Sequence, residues 1–242
     1  PRRLAGYFTL AHLRFSPDAL KAVWKLGLPI AGTYASEAGF FSVLTLLIGT
    51  LGMEALAAQT VLNQIIYIVF MFSAGISHAA SIHISEACGT GQYPRARQLG
   101  RLGLGLGVLV MLLFAIPYAL LPEQVIGLFI STEHANNLDA VRLATTGLLI
   151  AIVLQVFDAS QNIGNGILRG IGDTAGPLRI SLFGYWLVGL PAAWLLGIVS
   201  PYGIFGVWAG LAIGLAATAL LLIVSFERQL KALDRAGAIA LS

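Results

Sequence analysis

No aspartate, glutamate, lysine or arginine occurs between Ile180 and Phe226, and this is the longest of several nearly uncharged stretches in the chain. A helix needs about 20 predominantly apolar residues to cross the hydrocarbon core of a bilayer. Ala55–Ser85 and Leu102–Pro122 carry no charge; Leu26–Met53 is broken only by Glu37, and Leu143–Leu168 only by Asp158. The Ile180–Phe226 run is long enough for two crossings, with SPYG at 200–203 as the turn between them. The sequence therefore predicts an all-α integral membrane protein, a bundle of six transmembrane helices at 26–49, 55–85, 99–121, 141–167, 178–199 and 204–226. Composition agrees: 10% of the 242 residues are charged, against roughly 25% in soluble domains, too few to cover a water-facing surface.

The basic residues test this topology independently. If residues 1–25 are cytoplasmic, every lysine and arginine except Arg142 falls in a cytoplasmic segment. Arg142 sits in a loop that also carries Glu123, Glu133 and Asp139. That is the positive-inside pattern, with both ends of this segment cytoplasmic. The basic balance, a net charge of +3, thus reflects topology and not a nucleic-acid partner. A 1–25 cytoplasmic segment, a 26–227 membrane unit and a 228–242 cytoplasmic tail follow. The chain opens on Pro1 followed by two arginines, without a signal-peptide pattern, and reads as one part of a longer polypeptide. Its single cysteine, Cys88, excludes an internal disulfide and a cysteine-rich metal site.

Packing features are also legible. Gly206, Gly210 and Gly214 recur every four residues, a small-residue stripe that lets another helix approach closely, and Gly103 with Gly107 repeats the pattern. Pro117 and Pro191 lie within spans, where each removes a backbone hydrogen bond and bends the helix.

The two acids interrupting the apolar runs carry the chemistry. Glu37 is about 16 Å into the first span, near the midplane, and Asp158 lies in the inner half of the fourth. The apolar runs hold no lysine or arginine to neutralise them. A lone buried carboxylate costs several kcal/mol, so it must find water, take up a proton or bind a cation. Gln155, Asp158, Asn162 and Asn165 are spaced by three, four and three and line one helical face; Thr33, Ser36 and Glu37 cluster on the first span, and Gln59 and Asn63 are four apart on the second. Such oxygen-bearing groups suit a hard cation such as sodium, or serve as helix-to-helix hydrogen bonds. His78 and His83 are five apart and face differently, which speaks against a metal pair; His83 can meet Glu86 one turn on. Walker, HExxH and GxSxG motifs are absent, so neither nucleotide-driven nor hydrolytic chemistry is indicated.

KLGLPIAGTYASEAGFFSVLTLLIGTLG at 25–52, SIHISEACGTGQYPRAR at 81–97 and FDASQNIGNGILRGIGDT at 157–174 together resemble the carboxy-terminal lobe of the multidrug and toxic compound extrusion (MATE) family, in its NorM-like branch. His83 and Ser85 depart from that pattern, where arginine and glycine are more usual, and this bears on the inner loop and not on the acids. The resemblance implies one six-helix lobe of a twelve-helix, two-lobe transporter of the bacterial inner membrane. The partners it implies are membrane lipid, the other lobe and small cationic amphipathic substrates. Residues 1–25 would be the linker between lobes. It also implies that Glu37 and Asp158 form a cation site for sodium or a proton, with no other cofactor and no enzymatic activity.

The function expected is then cation-coupled antiport of amphipathic organic cations, with Tyr34, Phe40, Phe41 and Tyr67 as candidate cleft residues for flat apolar substrates. Three alternatives compete. A lipid-linked or polysaccharide flippase would want basic residues in its cavity, and the apolar runs have none. An intramembrane enzyme would need Glu37 and Asp158 to converge as an acid–base pair. The third alternative is a structural membrane subunit.

Overall fold

The computed structural model describes residues 16–130 and 138–240, and among these every regular element is a helix. Six helices are long and apolar enough to cross a membrane: α1 (Pro17–Gly49), α2 (Met53–Gly89), α3 (Tyr93–Leu120), α5 (Leu138–Ile171), α6 (Ala175–Val199) and α7 (Gly203–Ala240). A short helix, α4 (Pro122–Gly127), follows α3. Arg2, Arg3, Arg14 and Glu133 lie outside the described residues.

Local chemistry explains where the helices begin and turn. Ser16 caps α1, its hydroxyl accepting from the Ala19 amide at 3.3 Å, and Pro17 opens the first turn, where its missing N–H costs nothing. The Ile180–Phe226 run breaks where SPYG predicts: α6 stops at Val199, Ser200 turns extended, and α7 starts at Gly203. At the α5–α6 turn Gly172 takes φ 95°, a left-handed conformation that costs other residues energy. Most helices run past the apolar stretches that mark them, α1 from Pro17 and α2 to Gly89, because hydropathy marks only the bilayer-spanning part of a longer helix.

Successive spanning helices are antiparallel, so the α2–α3 and α5–α6 turns and the far end of α7 share one face of the bundle. Across that face Arg97 and Arg101 of α3 both donate to Glu227 of α7, Arg101 Nε at 2.8 Å, and Gln229 of α7 donates to Asp173 of the α5–α6 turn at 2.6 Å. Arg142 lies at the opposite end, around a cavity shared with Glu54 and Asp139.

The glycine stripe of α7 packs on α6. A Cβ on Gly206 would meet the backbone of Leu196 and Gly197, one on Gly210 the backbone of Ala192 and Ala193, and one on Gly214 that of Gly184 and Gly189. Backbone-to-backbone approach of this kind is what small residues permit in a membrane, where no hydrophobic drive brings helices together. The contacting part of α6 is not regular: π-helical turns at Phe183–Gly189 and Leu195–Val199 flank the α-helical Leu190–Trp194, which contains Pro191. Proline removes one N–H and displaces the carbonyl a turn earlier, and the wider π turn is a recognised way for a helix to absorb that. Gly103 and Gly107 of α3 instead receive side chains, Ala80 and Ile163 at Gly103 and Ile163 at Gly107.

α5 is the axial helix, packed against α2, α3 and α7, and every residue from Asp158 to Leu168 is buried. The apolar interior divides into two clusters along it. One contains Phe40, Leu148, Tyr185 and Trp208; the other contains Ile84, Ile163, Ile167 and Phe226. The polar side chains of α5 lie where the two clusters meet.

Candidate functional site

Each polar residue singled out on α5 must either pair with a neighbouring helix or remain open. Asn162 pairs: its Nδ2 donates to Ser73 Oγ of α2 at 3.0 Å, while its backbone carbonyl accepts from Ser77 Oγ at 2.8 Å. Gln155 donates from Nε2 to the Met111 carbonyl of α3 at 2.9 Å and leaves Oε1 buried without a partner. On α2, Gln59 Nε2 donates to Asn63 Oδ1 at 3.0 Å, and Gln59 Oε1 accepts from the Trp208 indole of α7 at 2.6 Å. These side chains bind helices together.

On α1, Thr33 donates from Oγ1 to the Pro29 carbonyl of its own helix at 3.0 Å. Ser36 accepts from Trp186 Nε1 of α6 at 3.0 Å. Glu37 is half-buried on the same side of α1, and Asp158 of α5, only 6% exposed, lies within electrostatic range of it. Among the described residues neither carboxylate has an ion-pair partner, and Asp158 Oδ1 is buried with no hydrogen bond.

Two residues that sequence reasoning missed stand beside the acids. Gln161 is fully buried, and both its Nε2 and Oε1 lack partners; it lies alongside Glu37 and Tyr185 without closing a well-formed hydrogen bond to either. Tyr185, also fully buried, has an unpartnered hydroxyl within electrostatic range of both acids. Its ring is stacked on Phe40 at 5.0 Å and 5°, and Gly189 leaves room for that Phe40 ring. Spacing could have found Gln161, which is three residues past Asp158 and four before Asn165 and so shares their face. No pattern marks Tyr185, because it sits on the π-helical turn of α6, where ordinary helical spacing fails.

The arrangement is thus a cluster of polar side chains contributed by α1, α5 and α6. It holds two carboxylates, a carboxamide and a phenol hydroxyl, and Asp158, Gln161 and Tyr185 keep buried polar atoms without a hydrogen bond. Buried polar groups are normally paired, so such a concentration of open ones sets this cluster apart from the helix-to-helix contacts. Chemically it can hold a cation or a proton.

Asn165 keeps an unpartnered Oδ1 at 8% exposure, further along α5. Tyr34 is exposed and touches Arg169; Phe41 is half-buried against Phe40; Tyr67 is exposed and stacked near Phe70 at 6.3 Å. His78 and His83 are exposed, and His83 lies 3.8 Å from Glu86.

Comparison with known proteins identifies the setting of this pocket. Residues 29–195 match the MatE family model. The chain is 42% identical over 208 residues to the probable multidrug resistance protein NorM of Pseudomonas aeruginosa, covering 86% of this chain and 43% of that protein. It is 41% identical over 226 residues to that of Pseudomonas syringae pv. tomato, covering 93% and 49%. It therefore spans about half the length of these relatives. In fold it superposes on a crystal structure of MATE in the bent conformation with a TM-score of 0.84, at 19% identity over 95% of this chain and 50% of that one. It matches the outward-facing conformation of a multidrug resistance MATE transporter of the MOP superfamily equally well, TM-score 0.84, at 20% identity over 94% of this chain and 50% of that one. Six membrane-spanning helices, a half-length match to NorM proteins and the MATE fold lead to one conclusion: this chain is an integral membrane protein of the MATE family.

Proposed function

We propose that this chain is one six-helix lobe of a cation-coupled exporter of amphipathic organic cations, and that Glu37 and Asp158 are its coupling site. The observation that carries this reading is the convergence of two carboxylates from separate helices, in a membrane interior, with no basic partner among the described residues. Two acids without a fixed counter-charge favour a mobile one. Sodium or a proton reaching them neutralises the pocket, and its departure restores the charge. The relatives' names as multidrug resistance proteins support export of drug-like compounds, and the half-length match supports a second lobe as the other wall of the cleft. Tyr34, Phe41 and Tyr67 are the aromatic side chains we place toward a substrate, with Phe40 holding Tyr185. In this reading Ser36, Gln59, Gln155 and Asn162 tie the helices around the site, while Thr33 and Asn63 bond within α1 and α2.

The distribution of basic residues supports an orientation in which the face bearing Arg95, Arg97, Arg169 and Arg228 is cytoplasmic, in the inner membrane of a bacterium. A flippase finds little support, since among the described residues no basic side chain pairs with either acid. The intramembrane-enzyme reading meets the convergence of carboxylates it requires, but the similar proteins are named for transport and resistance, not catalysis.

The test is transport by the full-length exporter in liposomes. With Glu37→Gln or Asp158→Asn, efflux of a cationic dye driven by a sodium or proton gradient should fall to background while dye binding persists. Efflux at the wild-type rate in both variants would refute the coupling role. Imposing each gradient separately identifies the ion.

A further inference from the structure

The unpartnered polar atoms of α5 do not stop at the acid pocket. Asp158, Gln161, Asn165 and Arg169 each keep a buried oxygen or nitrogen without a hydrogen bond, and they fall three, four and four residues apart, on one side of the helix. The stripe runs from the acids to the α5–α6 turn, about 16 Å at 1.5 Å per residue. α1 lines it from the other side, antiparallel, with Glu37 level with Asp158 and Gln161, and Thr33 and Tyr34 level with Asn165 and Arg169. A small, partly open cavity of about 10 Å³ lies among Thr33, Tyr34, Asn165, Arg169 and Thr174. That is close to the space one water needs, and the cavity has polar partners on both walls. On the α6 side, Ser181, one turn before Tyr185, adds another buried hydroxyl without a partner.

Arg169 stands at the end of this stripe. Its guanidinium lies over the Tyr34 ring, 5.9 Å from the centroid, and donates to Tyr34 Oη at 3.3 Å and to Ser77 Oγ at 3.4 Å. Both hydrogen bonds are long against the usual 2.9–3.0 Å, and Nε has no partner. This permanent positive charge is held by weak contacts to α1 and α2, with no carboxylate bonded to it among the described residues. An arginine placed for stability would have better partners. One placed across a path for cations needs only its charge and a light latch.

We infer that the polar stripe of α5 is the route by which the coupling cation passes between the Glu37–Asp158 pocket and the face bearing the α5–α6 turn, and that Arg169 is its gate. While latched on Tyr34 and Ser77, the guanidinium repels any cation in the stripe and keeps the pocket closed to that side. Tyr34 and Glu37 are three residues apart on α1, so a shift of α1 that serves the acids also releases the latch. Asn165 is the relay between gate and pocket. The inference rests on the coupling role proposed for the two acids, and it holds for a proton, relayed through water, or for sodium.

The experiment is ion flux in the absence of any exported substrate, with the full-length exporter in liposomes read by an internal pH-sensitive or sodium-sensitive dye. Arg169→Gln should raise downhill flux about tenfold or more, since one unit charge a few Å from the path is worth at least that factor in rate. Arg169→Lys keeps the charge and an ammonium that can still donate to Tyr34 or Ser77, and should stay close to wild type. The double variant Arg169→Gln with Asp158→Asn should lose the leak, because the route then has no cation site behind the gate. If Arg169→Gln does not assemble, Tyr34→Phe combined with Ser77→Ala removes both latch acceptors and should leak in its place. Two results would overturn the gate: equal leaks in the glutamine and lysine variants, or no leak from either Arg169→Gln or the latch variant. A leak that survives Asp158→Asn would overturn the route. Failure of the coupling reading itself looks different, as undiminished dye efflux in Glu37→Gln and Asp158→Asn with arginine intact.

Discussion

α5 presents polar side chains in two directions, and they meet different fates. Toward α2 and α3, Asn162 and Gln155 reach Ser73 and the Met111 carbonyl, and Ser77 closes back on the Asn162 carbonyl. Toward α1 and α6, Asp158, Gln161 and Tyr185 leave their polar atoms unpaired in the same apolar interior. The residue types overlap, with amides on both sides, so composition does not separate them. Contact with a neighbouring helix does: Asn162 and Gln155 each bond one, although Gln155 Oε1 stays open, whereas in the function proposed here the other side keeps its hydrogen-bonding capacity for an arriving cation. A charge is present only on the open side, and helix adhesion has no need of one.

The contrast is broken most severely by removing that charge. Asp158→Asn should cut gradient-driven dye efflux by about 100-fold or more. The same substitution should leave thermal stability unchanged or raise it, since an uncompensated buried carboxylate is destabilising. A loss of both efflux and stability would place Asp158 with the adhesive side instead. Next in size, Gln161→Leu should weaken the apparent affinity for the driving ion about tenfold without loss of stability, because it removes two orphaned polar atoms along with a cation ligand. The ion concentration giving half-maximal efflux reads this directly.

On the paired side the signs reverse. Asn162→Leu should cost about 1 kcal/mol of stability by removing the Ser73 hydrogen bond, with the ion dependence of efflux intact. Ser73 retains its own bond to the Phe70 carbonyl, at 2.8 Å, which limits the damage. The smallest effect belongs to Gln155→Met, within about 0.5 kcal/mol of wild type: one hydrogen bond goes, but so does the unpartnered Oε1. Thermal unfolding in detergent separates these two from each other and from the acids.

How far the sequence reaches follows the same division. Span number, the turn at Ser200 and the glycine stripe of α7 are legible because each depends on local composition or on spacing along one helix. The two acids are legible because a charge in an apolar run is an anomaly wherever the chain goes. What spacing cannot separate is Asn162 from Gln161, neighbours on α5, because their difference lies in which helix each one meets. Tyr185 is hidden for a further reason: Pro191 and the close α6–α7 contact impose π turns that shift the register of α6. Arg169 reads as a topology marker in the sequence, and only its place over Tyr34 gives it a second role.

The central claim is that Glu37 and Asp158 bind a cation together, and its most direct test is ligand-linked stability. The purified full-length protein should melt at a higher temperature as sodium is raised at fixed pH and ionic strength, or as pH falls at fixed sodium, because a ligand that binds only the folded state stabilises it. The account predicts that this shift disappears in the Glu37→Gln, Asp158→Asn double variant. A shift of undiminished size in that variant would contradict it.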